Sequence, residues 1–461
     1  MYRKRDREQL YIEDFMLPFG GKLLADNRWV KLSEMMPWDF IEDIYAENMS
    51  EDTGAPAISS RIAFGALYIK ENEVLTGERT LEHIAENPYM QYFLGLHAFT
   101  PEPLFDPSMM VHFRKRFPAG KIEKINKRIF VKQRDDSDDP PPPNKGKLVL
   151  DATCAPADIR YPSDLSLLNE ARENLEAIIE ELWKHGPRQG HKTPYNRKKA
   201  RSQYLHVAKQ RKPGARRTRT AIGKQLVYVR RGIETIGALL LATGLEVLPE
   251  RRIERIMVIC ELFRQQSTMH RDKSHKCEDR IVSLRQPHVR PMVRGKSGRR
   301  FEFGQKMALS VVDGYTFIER QSFDNFHEGI GLKESVERYK VLYGCYPEVV
   351  QADMIYRNRD NLSYCKSNGI RLSGPKLGRP GKNVEQDRAL EKQDSRERNI
   401  IEGRNGMAKR RFGLDLIFSI LPQTAMTEAA LQVLCMNARI WLLCLRLLRF
   451  WFPCYCAGAM A

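Results

Sequence analysis

The chain has 461 residues, with 76 Lys or Arg against 58 Asp or Glu and a formal net charge of +18. Hydrophobic residues make up 42% and charged residues 29%, which excludes a disordered or fibrous chain and leaves room for two or three globular domains. Positive charge on that scale points to a polyanionic partner, nucleic acid first and a membrane surface second. The nine cysteines are scattered without a CxxC pair, so they read as reduced thiols of a cytoplasmic protein rather than a disulfide framework. The opening MYRKRDREQLYIEDF carries charge and no apolar core, unlike a signal peptide.

In chain order, residues 1–133 read as a helical domain. SSRIAFGALYIKEN (59–72), Gly77 and RTLEHIAENPYMQYFLG (79–95) predict two helices around a Gly-containing turn. That pattern suits a DNA-binding helix-turn-helix and equally suits bundle packing. Acidic residues and four consecutive prolines make 134–146 a semi-rigid linker. KLVLDAT (147–153) reads as a buried strand ending in Asp151. Helical patterns follow at 165–183, 236–242 and 252–263, inside an insertion of about 160–295. The run 302–323 predicts a hairpin turning at Asp313-Gly314. Residues 331–344 form an amphipathic helix, and 347–353 a second buried strand ending in Asp353. The order gives a mixed α/β sheet domain over 147–425. From 426 to 461 the chain is strongly apolar, but Arg439, Arg446 and Arg449 interrupt it. A buried or dimer-facing helix is expected there, with no membrane span.

The charge is concentrated. The 52 residues from 182 to 233 hold 16 Lys or Arg and no Asp or Glu, so they carry nearly all of the +18. A soluble surface mixes its signs, whereas this stretch has no acid, and Tyr195, Tyr204 and Tyr228 interleave its cations. That composition suits phosphate contact with some base or sugar stacking. Arg197, Lys198, Lys199, Arg216, Arg217 and Arg219 are the candidate DNA contacts.

Two-metal phosphodiester chemistry needs carboxylates able to hold divalent ions ~3.5–4 Å apart. Asp151 and Asp353, at two predicted strand ends, are one candidate pair, although such an Asp is more often a turn or cap residue. RERNIIEGRNGMAKRRFG (396–413) adds Arg398, Glu402, Asn405 and Lys409 at steps of four, three and four, which return to one helical face. Ordinary Arg398–Glu402 pairing on an exposed helix would give the same spacing. Gly403 and Gly406 count against it, since each costs about 1 kcal/mol in a helix interior and permits close approach by backbone or DNA. A zinc site among His270, His275, Cys277 and His288 matches no strong spacing.

Five blocks in order resemble bacterial insertion-sequence transposases with an RNase-H-like catalytic domain and a DDE triad. IEDFMLPFGGKLLADNRWVKLSEMMPW and ENPYMQYFLGLHAFTPEPLFDPSMMVHFRKRF are similar to the family's N-terminal domain. LDATCAPADIRYPSDLSLLNEARE resembles its first-Asp block, and IVSLRQPHVRPMVRGKSGRRFEFGQKMALSVVDG its central sheet. QADMIYRNRDNLSYCKSNGIRLSGPKLGRP resembles its second-Asp block, and ERNIIEGRNGMAKRRFGLD its Glu block. The resemblance implies Asp151, Asp353 and Glu402 as catalytic and metal-holding residues, with Mg²⁺ as cofactor and Mn²⁺ as substitute. It implies Arg398 and Lys409 near the phosphates, and Arg357 as a further phosphate contact. Ser395 stands where related transposases often have Tyr. The 201 residues between Asp151 and Asp353 exceed what the sheet needs, so the basic insertion would extend the DNA-binding surface. The expected partners are double-stranded DNA and further copies of the chain, as homodimer or higher assembly. A nuclease without strand transfer and a silent DNA-binding descendant are the rival readings.

Overall fold

The computed structural model describes residues 1–2, 4, 11–17, 20–47, 49–50, 52–131, 144–185, 196–293, 301–375 and 384–451. Most of the predicted linker and residues 186–195 of the basic stretch lie outside them. The fold is mixed α/β, the class expected from the order of elements, and it divides into two compact units. One comprises 1–156 and 305–461, the other 157–304.

The first unit opens with seven helices: α1 (Arg28–Met35), α2 (Trp38–Ala46), α3 (Ser60–Glu73), α4 (Gly77–Glu86), α5 (Pro88–Phe93), α6 (Met109–Arg116) and α7 (Ala119–Phe130). Ser59 caps α3 by accepting from the Ile62 amide at 3.3 Å, and Thr76 caps α4 from Arg79 at 3.3 Å. Gly77 is therefore the first residue of a helix rather than the turn itself. From Ala63 through Ile69 α3 is buried on every side, which is why its sequence shows little amphipathic contrast.

β1 (Lys147–Pro156) leads out of this unit. The second unit contains α8 (Asp164–His185), α9 (Arg197–Ala208), α10 (Ala215–Thr243), α11 (Glu250–Asp272) and β2 (Arg290–Val293), which pairs antiparallel with residues 301–304. Leu168, Leu175, Ile178 and Leu182 of α8 meet Val229 and Ile236 of α10 and Ile259 and Leu262 of α11 in its core. The spacing on α8 follows the helical repeat. A smaller cluster of Leu165, Tyr204, Val207 and Ala221 seats α9.

The chain continues in β3 (Phe301–Val312), β4 (Tyr315–Ser322), α12 (Leu332–Tyr343), β5 (Val349–Gln351), α13 (Arg359–Ser367), β6 (Arg371–Leu372), α14 (Val384–Phe412) and α15 (Pro422–Trp451). The sheet of the first unit runs β4-β3-β1-β5-β6, with β1, β5 and β6 parallel and β3 antiparallel to β4. Asp313 and Gly314 take φ of 52° and 85° between β3 and β4, the positive values a two-residue hairpin turn requires.

Two strand ends fall elsewhere than the sequence predicts. β1 runs on to Pro156, so Asp151 is within the strand and not at its end. β5 supports β1 only from Lys147 to Val149, while the twelve-residue β3 lies along its other edge. β5 itself has three residues, and Asp353 lies just beyond it as the cap of a one-turn helix, 354–356.

Every residue of α15 from Ala429 through Ala438 is at most 2% exposed. The helix is long and apolar enough to cross a membrane by length and composition, yet several polar side chains on its buried face are hydrogen-bonded to the rest of the unit. Gln432 donates to Glu71 of α3 at 3.3 Å, and Glu428 accepts from the Phe418 and Ser419 amides at 3.1 and 3.0 Å. Asn437 accepts from the Thr316 amide at 2.9 Å and donates to the Thr316 carbonyl at 2.7 Å and to Asn126 Oδ1 of α7 at 2.9 Å. Those pairs serve a packed protein interior, since each satisfies a polar group that burial would otherwise penalise.

Beside this network burial pushes the Glu123 carboxyl up to about 8, although Lys127 and Asn126 oppose it. The folded state then holds a proton that the unfolded chain releases near the ordinary carboxylate value. Stability contributed by Glu123 is therefore present at low pH and lost as pH rises towards 8. Denaturant midpoints of wild type and Glu123→Gln between pH 4.5 and 8 should converge at the acid end and separate in favour of the variant at pH 8. A constant difference across that range would show that Glu123 does not titrate there.

Candidate active site and nucleic-acid surface

The site is built where α14 docks on the sheet. Asp394 receives two hydrogen bonds from Arg371 of β6, at 2.5 and 2.9 Å. Glu397 accepts from Lys147 of β1 at 2.7 Å and from Gln351 of β5 at 2.7 Å. Those bonds, with Gln393, hold the Glu397 carboxyl down at about 2. Buried Ile401, Ala408 and Phe412 continue the same docking face, one or two turns apart.

That docking sets where the predicted residues lie. Arg398 comes within 3.7 Å of Asp353, and Asn405 donates to Asp151 Oδ2 at 3.2 Å. Arg398 thus faces Asp353 and not Glu402, so the plain i,i+4 pairing does not explain the spacing. Glu402 lies between Arg398 and Asn405 on the helix, is exposed, and has no hydrogen-bond or ion-pair partner among the described residues. Lys409, two turns on, is half-buried. Asp353 is 58% exposed at its side chain and accepts from the Met354 amide at 2.7 Å.

The Asp151 carboxyl is pushed up to about 6, chiefly by burial and further by the charges of Glu328 and Glu402, against the Ala152 amide and Arg398. Glu328 has no signal in the sequence, since it sits alone in a short turn, 328–331, before α12. It pairs with Lys306 of β3 at 2.9 Å. Its charge, with those of Asp151 and Asp353, also helps raise the buried Tyr356 hydroxyl. Negative charges near one another raise each other's proton affinity. Among the described residues no three His, Cys, Asp or Glu side chains form a ready metal cage, and this includes His270, His275, Cys277 and His288.

Arg357 takes a different place from the one the resemblance implies. Its guanidinium donates to the carbonyls of Leu372, Ser373 and Pro375 at 2.9, 2.6 and 2.6 Å. It braces the strand β6 and its exit, with three of its five N–H groups engaged.

In the other unit, Arg197 is neutralised by Glu176 at 3.3 Å and Glu180 at 2.7 Å. Lys198, Lys199, Arg216 and Arg217 are exposed, Arg219 is half-buried, and none has an ion-pair partner among the described residues. Arg216, Arg217 and Arg219 stand in the first turns of α10, where positive charge opposes the helix dipole. Helix stability does not account for them.

Gly403 adjoins Glu402, and a Cβ built there would meet nothing within 4 Å. No protein backbone approaches it, so the glycine leaves an open strip beside the carboxylate. Gly403→Ala should stabilise the fold by about 0.5–1 kcal/mol, through helix propensity alone. A fall in the denaturation midpoint would show that the position is packed.

Two family models match the chain. One, described as a transposase domain, covers residues 19–116, and the other, a transposase DDE domain, covers 350–439. The second match includes Asp353 and Glu402, while Asp151 lies between the two. The chain is also similar to a protein of Rhizobium meliloti, "Uncharacterized protein ORF8 in nfe locus", at 29% identity over 157 residues, 34% of this chain and 73% of the relative. No solved structure matches. The chain is thus similar to transposases over two separate segments, a transposase domain near its N-terminal end and a transposase DDE domain over the stretch that holds Asp353 and Glu402.

Proposed function

We propose that this chain is an RNase-H-like transposase that binds its element's ends, cuts them, and joins the freed 3′-OH strands to target DNA. The observation that carries this reading is the seating of α14. One helix places Asn405 on Asp151 and Arg398 beside Asp353, with Glu402 between them and its charge felt at Asp151.

The donor set fits a hard divalent ion. Asp151, Asp353 and Glu402 offer only carboxylate oxygens, and Mg²⁺ is ordinarily held by one or two carboxylates together with substrate phosphates. Mn²⁺ accepts the same donors. When bound, such ions supply Lewis acidity to a water and to both oxygens of an in-line displacement. Asn405 fixes the orientation of the Asp151 carboxylate, and Arg398 and Lys409 hold the phosphate backbone beside it. Lys198, Lys199, Arg216, Arg217 and Arg219 bind duplex phosphates at the insertion. Joining two ends in one reaction calls for at least two copies of the chain on the DNA.

Labelled duplexes carrying the DNA that flanks the gene, incubated with the protein and Mg²⁺ or Mn²⁺, should yield cut and joined products. Cutting without joining would make the protein a nuclease, and binding without cutting a silent descendant. Asp353→Asn and Glu402→Gln should each lower cleavage by at least ~100-fold while DNA affinity stays within about threefold, since each removes only a ligand for the ion. Unaltered cutting by either variant would take that residue out of the site.

The basic surface makes its own prediction. Replacing Arg216, Arg217 and Arg219 together by Gln should reduce the slope of log affinity against log salt by about 2 to 3, close to 0.9 for each phosphate no longer neutralised. An unchanged slope would place the DNA elsewhere.

A further inference from the structure

Asp353 lies beyond the reach of the sheet. Its strand, β5, ends at Gln351, and its side chain is 58% exposed, so the strand ladder does not fix it. The segment that follows, the one-turn helix 354–356, has to hold it. The Tyr356 amide donates to the Asp353 carbonyl at 3.0 Å, and Tyr356 itself is buried.

Asn361 of α13 closes this arrangement. Its side chain is buried and donates to the Tyr356 carbonyl at 2.8 Å and to the Gly329 carbonyl at 2.6 Å. An amide side chain has two N–H groups. One is spent on the turn that follows Asp353, the other on the turn that carries Glu328. The two turns meet with no side chain between them, since a Cβ added to Gly329 would come within 2.5 Å of the Ile355 carbonyl oxygen. Gly329 is not among the residues of positive φ, so close approach alone calls for the glycine. Lys306 of β3 anchors the second turn, pairing with Glu328 at 2.9 Å and donating to the Phe326 carbonyl at 2.8 Å and to Asn325 Oδ1 at 3.2 Å. A run of bonds thus leads from the long strand β3 through 325–329 and Asn361 to the turn beside Asp353.

Starting α13 does not need the Asn361 side chain, because Asn358 caps that helix by accepting from the Asn361 amide at 2.8 Å. We propose that Asn361 is a positioning residue for Asp353: by clasping the two turns it sets the affinity of the carboxylate site for a divalent ion. This rests on the reading of Asp353 as a metal-holding residue. Without Asn361 two carbonyls lose their donor, and the turn beside Asp353 is free to relax away from Arg398 and α14.

Mn²⁺ binding by the full chain without DNA is followed through the electron paramagnetic resonance signal of the free ion. Asn361→Leu, which keeps much of the volume and loses both donors, should weaken Mn²⁺ binding about 10–100-fold, the loss usual when a partner behind a metal ligand is removed. Gly329→Ala, which wedges the turns apart and keeps Asn361, should do the same. Either variant decides the matter if the other does not fold. Tyr364→Phe, which removes a bond from α13 to Glu337 of α12 and spares the clasp, should bind Mn²⁺ as the wild type does. A residue that only stabilised the fold would lower the denaturation midpoint and leave the Mn²⁺ affinity of the folded protein unchanged. Unchanged affinity in folded Asn361→Leu or Gly329→Ala would therefore overturn the clasp and leave the metal site standing. Wild type that binds Mn²⁺ no better than Asp353→Asn would overturn the clasp and the metal reading together.

Discussion

The bonds of Asn437 are the constraint on which the larger unit depends. This fully buried amide satisfies both backbone groups of Thr316 at the start of β4 and also bonds Asn126 of α7. One side chain thereby joins the N-terminal helices, the sheet and the last helix. Removing it would strand several buried polar groups at once, which costs more than the loss of one hydrogen bond. Gln432 and Glu428 repeat the device along the same helix, toward Glu71 and toward the chain entering α15. The first turns of α15 also accept from Gln305 of β3 at 3.1 Å and from Gln321 of β4 at 3.2 Å. An apolar helix that length and composition would allow in a membrane is in this way registered within the protein.

α14 depends on that frame and in turn makes the site. Its docking is ionic at one end and apolar at the other: Arg371, Lys147 and Gln351 grip Asp394 and Glu397, and Ile401, Ala408 and Phe412 bury beyond them. Between these anchors lie Arg398, Glu402 and Asn405. Arg398 and Asn405 are drawn to Asp353 and Asp151, and Glu402 is left open to solvent. The helix is thus held firmly at both ends and open in the middle, where Glu402 is exposed. Burial, with the charges of Glu328 and Glu402, raises the Asp151 carboxyl, while Lys306 balances Glu328.

The smaller unit works by a different principle. Its core is an apolar seam between α8, α10 and α11 with buried polar residues such as Arg172 and Gln265 at its margins, and exposed faces of α9 and α10 carry the cations. Not all of them are available, since Arg197 is tied to Glu176 and Glu180. Arg216, Arg217 and Arg219 stand in the first turns of α10, where the helix dipole disfavours them, so helix stability does not explain their placement.

The sequence by itself determined the local elements, because hairpin, helix and strand signals act over a few residues. The positive-φ pair Asp313-Gly314, the long helix around Glu402 and the short strand before Asp353 are all of this kind. It also determined the concentration of charge, which is a property of composition. The extent of β1 was not legible, because its length depends on the strand beside it rather than on its own alternation. Glu328 was invisible for the same reason, being brought to Asp151 only by the turn before α12. One face of α14 was readable as a repeat, yet residues three apart differ by about 60° around a helix. Tertiary docking used that difference to send Asn405 inward and leave Glu402 outside. It also spent the Arg357 guanidinium on three carbonyls, which no pattern in the chain could foretell. Spacing fixes which side chains share a side of a helix; only the packing of that helix decides which of them touch the sheet.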